Sequence, residues 1–245
     1  MITTKLLYKS AVFFMASSLI LIGGCRDDDP TPVPDSFSLV FDFEGSPQGW
    51  TGDFADLPVD GQDIFELEVS HGPLPEELDL EENALRIQGH NRSDDLFMFF
   101  KRQVDDLLPS TAYSLVFEIE LASQYPEESV GIGGSPGASV FLKAGATLEE
   151  PETVVEEGGI RDYLRMNIDK GNQSQDGSDM YGLGTIGISG EEFRYELINR
   201  NNQDRPFTVT SSPEGTLWLV VGTDSGFEGL TELYYNRITV TFTQQ

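Results

Sequence analysis

The residues able to do chemistry are mostly oxygens, and their spacing separates what they can do from what they cannot. Ser135 lies in Gly133-Gly134-Ser135-Pro136-Gly137, the G-x-S-x-G spacing that exposes a serine nucleophile between a strand and a helix. Such a serine needs a histidine to take its proton. The two histidines, His71 and His90, both precede it, and Ala138-Ser139-Val140-Phe141-Leu142 after it is strand-like. The motif therefore reads as a glycine-rich turn, and no enzyme is expected. Glu118 and Glu120 alternate on one run, which puts them side by side on a solvated sheet face and not across a glycosidic bond. In the polar stretch from Asp169 to Asp179, Asp169, Asn172, Asp176 and Asp179 could supply several of the six to eight oxygens that Ca2+ takes. The same residue types build turns, so both readings stand. A sugar needs a flat ring for its apolar face and polar groups for its hydroxyls. Trp50, Tyr163 and Tyr181, with Arg165 and Asn167, are the candidates for such a ligand site.

The elements that must position these residues are strands. Tyr113, Leu115, Phe117, Ile119 and Leu121 alternate with Ser114, Glu118 and Glu120. The same period of two runs through Phe37, Leu39, Phe41 and Phe43, through Leu164, Met166 and Ile168, and through Ile238, Val240 and Phe242. Period two with one polar face predicts antiparallel sheets packed on a core by one face. Leu96–Phe100 and Leu217–Val221 are apolar on both faces and read as central strands. Weaker strand candidates lie at 64–69, 84–88, 138–144, 193–197 and 206–210, and proline-led 73–82 reads as a loop. With turn residues between the runs and no long helical period, the fold class is all-β, an antiparallel β-sandwich, with 36–245 as a single domain.

Four stretches carry a resemblance that agrees with this. Phe41-Asp42-Phe43-Glu44 with Gly49-Trp50, Asn83-Ala84-Leu85-Arg86-Ile87, Leu108-Pro109-Ser110-Thr111-Ala112-Tyr113-Ser114-Leu115 and Leu233-Tyr234-Tyr235-Asn236-Arg237-Ile238 occur in this order. Together they resemble the opening, second, central and closing signatures of jelly-roll carbohydrate-binding modules of the galactose-binding-like type. The stretch 131–190 is closer to bacterial surface lipoproteins than to any module of known specificity. The resemblance implies a jelly roll, a glycan ligand, and a structural Ca2+ between the first and last strands, where Glu44 and Asn236 match the ligand positions. Asn236 shares the parity of Ile238 and Val240 and is expected to point inward.

The first residues set the location. Lys5 and Lys9 precede the apolar runs Ala11–Ala16 and Leu19–Ile22, too short and interrupted for a comfortable membrane span. Leu21-Ile22-Gly23-Gly24-Cys25 then resembles the lipobox of bacterial lipoproteins, and Cys25 is the only cysteine. The resemblance implies a signal peptide over 1–24, cleavage before Cys25, and acyl chains on that residue. Two or three such chains, each methylene contributing about 0.8 kcal/mol, anchor a protein stably in a membrane. Residues 25–35 follow as an acidic, proline-rich tether. The Asp27-Asp28-Asp29 run resembles the signal that sends some lipoproteins to the surface of the outer membrane, and reads equally as a spacer. With 42 acidic against 15 basic residues the formal charge is −27. Such a surface repels phosphate backbones, which excludes nucleic acid as a partner, and draws in divalent cations. The expected protein is an envelope lipoprotein whose domain binds glycan or another extracellular ligand without catalysis. A structural or adhesive envelope protein is the second reading and a glycan-active hydrolase the third.

Overall fold

The computed structural model describes residues 36–245. Cys25 and the expected signal peptide and tether lie outside the described residues. The alternating runs become two antiparallel sheets packed face to face. The first is centred on β7 (Ala112–Ser123) and β15 (Leu230–Gln244). The far edge of β15 is shared by β5 (Asn83–His90) and then β1 (Ser36–Phe41), with β4 (Glu68–Pro73) outside β5. The far edge of β7 is shared by β12 (Glu196–Asn201) and β13 (Phe207–Thr210). Asn202 bridges that handover, its Oδ1 accepting from the Phe117 N–H at 2.7 Å. The second sheet has the order β11 (Met180–Thr185), β8 (Val140–Thr147), β14 (Leu217–Ser225), β6 (Leu96–Val104) and β2 (Thr51–Ala55). The chain crosses repeatedly between the two sheets, so most pairings join distant segments.

Alternation does its work where one face is wet. Tyr113, Leu115, Phe117, Ile119 and Leu121 of β7 are all buried against the second sheet. Phe37, the outermost apolar residue of β1, stays partly open and stacks on Phe242 with centroids 4.9 Å apart. At about 1.5–3 kcal/mol for each large apolar side chain, this interior is the main source of stability.

β6 and β14 are apolar on both faces because the second sheet is covered on both. A three-stranded sheet of β3 (Leu57–Pro58), β10 (Tyr163–Met166) and β9 (Thr153–Glu156) borders its outer face. There Phe97, Phe99, Val220, Ala55 and Met180 form a second core, capped by Met166 and Ile168. The strand expected at 64–69 begins only at Glu68, after a 3-10 turn over Gln62–Phe65. Residues 73–82 are a loop apart from one short 3-10 turn and the end of β4.

Candidate functional site

The outer face of the second sheet carries two charges that strand parity buries. Lys143 on β8 lies opposite Gly222 of β14, and Asp224 lies opposite Phe97 of β6. Both side chains have no exposed surface. The loop 167–179 after β10 crosses above them and supplies their partners. Lys143 Nζ donates to the carbonyls of Lys170 and Gln175, both at 2.7 Å. Lys170 Nζ returns toward the sheet, 2.7 Å from Asp224 Oδ2 and 2.8 Å from Asp56 Oδ2. Arg165 Nη1 reaches Asp56 Oδ1 at 2.8 Å and stands 3.9 Å from Asp95 Oδ2.

Three carboxylates thus face three cations. Oxygens of Asp56, Asp95 and Asp224 lie within 4.8 Å of one another, a spacing able to hold a metal ion. Burial, with the charge of Asp224, pushes the Asp95 carboxyl up to about 7. Burial lowers Lys143. It works against Lys170 as well, but Asp224 and Asp56 outweigh it and raise that ammonium.

The cluster holds a loop that edges open grooves. One, of about 350 Å³, lies over β8 and β11 and is lined by Phe141, Gln173, Ser174, Asp176, Thr185 and Arg205. Gly182 and Gly184 also line it. Asp176 Oδ1 accepts from the Gly182 N–H at 2.7 Å, and its Oδ2 accepts from Arg205. Burial opposes ionisation there, but Arg205 and the Gly182 N–H hold the carboxyl below its usual range. Asp176 is therefore an anion at neutral pH, an acceptor and not a proton donor. The Arg205 guanidinium lies 4.6 Å from the Tyr181 ring centroid, and Tyr181 packs edge-on to Phe207. A second groove, of about 430 Å³, lies across the loop between Thr147, Glu149, Asn167, Asp179 and Thr208.

The residues singled out from sequence scatter. Trp50 cannot stack on a ligand: it is 3% exposed, edge-on to Phe41 in the main core. Tyr163 lies under the Arg165 guanidinium at 4.8 Å, and Arg165 also binds Glu156. The Asn167 carboxamide fastens 150–152, donating to the Glu150 carbonyl and accepting from the Glu152 N–H. Of the five, only Tyr181 stands beside the β8–β11 groove. In the loop, Asp169 accepts from the N–H groups of Ser178 and Gly171, which hold it below the usual carboxylate range. Asp179 accepts from the Asp169 N–H, and Asn172 pairs with Gln175 in a turn. Asp169, Asp176 and Asp179 thus cap backbone, as turn formers do.

Glu44 is exposed, and its carbonyl accepts from Asn83 Nδ2 at 2.9 Å. Asn236 is buried, but parity is not the reason. A bulge between Tyr235 and Arg237 shifts the register. The Asn236 Nδ2 donates to Glu82 and Glu120, which places the amide on the Glu120 face of the sheet rather than inward with Ile238. Its Oδ1 is buried without a donor. Ser135 closes a turn as expected, its hydroxyl donating to the Glu127 carbonyl and accepting from the Ala138 N–H. His71 and His90 are engaged elsewhere, with the Phe43 carbonyl and with Glu66.

Sequence reading missed Asp56, Asp95, Asp224, Lys143, Lys170 and most of the groove. One signal was present: Lys143 interrupts a strand whose neighbours are apolar on both sides, and a charge there must find a buried partner.

No protein-family model matches the sequence. No curated protein matches it either. Solved structures similar to the chain include the enzymatically active domain of tailspike protein 4 of bacteriophage CBA120, at 13% identity and a TM-score of 0.34. That match covers 83% of this chain and 20% of the tailspike, so the chain spans about a fifth of that protein's length. TmCBM61, solved with β-1,4-galactotriose, matches at 12% identity and a TM-score of 0.34, over 78% of this chain and 86% of the module. The mannan-recognising module TmCBM27 matches at 13% and 0.34, over 84% and 97%. At these values the likeness says nothing of this chain's ligand.

Proposed function

We propose that residues 36–245 bind a neutral glycan in the β8–β11 groove, without catalysis, on a chain anchored through lipid at Cys25. The observation that carries the reading is the lining of that groove. The Phe141 ring offers a flat apolar face, and Asp176, Arg205, Gln173 and Ser174 surround it with acceptors and donors. A volume of about 350 Å³ falls in the range of small-molecule sites, roughly 300–1,000 Å³. The formal charge of −27 disfavours anionic polymers, whereas neutral sugars meet no such repulsion. An ionised Asp176 with both oxygens engaged suits hydroxyl recognition and not proton transfer.

Calcium belongs to this reading at the β15 bulge. There Asn236 Oδ1 is a buried acceptor without a donor, with Glu82 and Glu120 beside the same amide and Glu44 one hydrogen bond away through Asn83. A glycan array probed with the domain tests both points when run in calcium and in EDTA. Binding of neutral oligosaccharides is expected. No binding to any glycan would sink the first claim. Identical binding and identical melting curves in the two buffers would remove calcium.

A further inference from the structure

The loop 169–179 has the composition of a metal-binding loop, yet lysines fasten it. Its own acids are spent on backbone N–H groups and on Arg205. Its attachment to the sheet runs instead through two ammonium groups. Lys143 Nζ, fully buried, is held by two backbone carbonyls of the loop and lies 3.5 Å from Asp224 Oδ2. Lys170 Nζ lies at 2.7 and 2.8 Å from carboxylate oxygens of Asp224 and Asp56. Contacts of this kind, from one cation to backbone carbonyls and carboxylates of separate segments, are those a structural Ca2+ makes.

We propose that Lys143 and Lys170 stand in for a structural divalent cation beneath the 169–179 loop, and that the Asp56–Asp95–Asp224 cluster becomes a divalent-cation site once Lys170 is removed. The cluster has oxygens to spare: Asp224 Oδ1 and Asp95 Oδ1 are buried with no hydrogen-bond partner, and the Asp224 side chain has no exposed surface. With Lys170 present, three cations balance three carboxylates. Without it the deficit lies where a lone buried charge is most costly, and a hard divalent ion would meet at least three converging carboxylates. A cavity of about 180 Å³ bordered by Asp95, Arg165 and Asn172 gives the ion a way in. The inference stands apart from glycan binding, since it concerns only how the loop is held.

The test compares the full chain, its Lys170→Ala and Asp224→Asn variants and a Lys170→Ala/Asp224→Asn double variant, each in EDTA and in millimolar calcium. Two readouts are taken, melting temperature and thermolysin cleavage within 169–179. In EDTA, Lys170→Ala should melt several degrees below the natural chain and be cut faster in the loop. Calcium should restore both, and the double variant should gain nothing. If Lys170→Ala does not fold in EDTA, refolding it with calcium keeps the question open to an answer, and Lys170→Gln offers a milder removal of charge. Lys170→Ala indifferent to calcium would overturn the proposal. So would a natural chain whose calcium response is abolished by Asp224→Asn, because the cluster would then already hold a metal.

Discussion

Asp95 is the residue whose charge is least settled in the folded chain. It faces Asp224 and Asp56, with Lys170 and Arg165 as the nearby cations, and its carboxyl is pushed up from 3.8 to about 7. A carboxyl raised on folding binds more protons folded than unfolded, so its contribution to stability is full below about pH 4 and is lost as pH climbs through 7. The melting temperature should therefore fall between about pH 4 and pH 7 and level off above that. Asp95→Asn should flatten that fall, raising the melting point at pH 8 more than at pH 5. A variant that melts lower than the natural chain at both pH values would show that the carboxylate is held as an anion. Trp50 teaches a related lesson about residues. Nothing in its local sequence distinguishes a ring that packs from one that binds; the T-shaped contact with Phe41 decides it.

Among elements, β8 and the loop that crosses it are the closest fit. A Cβ on Gly145 would sit 1.8 Å from the Asp179 carbonyl oxygen, so the loop rests directly on the strand's backbone. Gly145→Ala should lift the loop at a cost of about 1–3 kcal/mol, as overpacking elsewhere does. Thermal melting checks the cost, and faster proteolysis within 169–179 checks the place. An unchanged melting temperature would mean that the loop is not pressed on β8. Elements also show what was legible beforehand. β7 could be read because one of its faces is wet, and β6 and β14 because both of theirs are dry. β11 could not, because Gly182 and Gly184 replace the residues that would have marked an alternation. The bulge at Asn236 was equally invisible, since it inverts parity without changing composition.

For the whole molecule, the sandwich was readable and the site was not, for one physical reason. Strand period is local, whereas Asp56, Asp95, Lys143, Lys170 and Asp224 meet only after five distant segments have folded together. The anchoring proposal sits at the other extreme, resting on a few adjacent residues at 21–25. Cys25→Ser should abolish metabolic labelling with palmitate and leave unprocessed precursor, and labelling that persists would end that proposal. The claim that matters most is that the acidic domain reads neutral sugar at the β8–β11 groove. Calorimetric titration of a neutral oligosaccharide selected on the array tests it directly, using the natural chain, Phe141→Ala, Arg205→Ala and, as a control on the opposite sheet, Thr239→Ala. Tenfold or greater losses are expected for the two groove variants at unchanged melting temperature, with the control binding as before. Equal affinity in all four proteins would contradict the account.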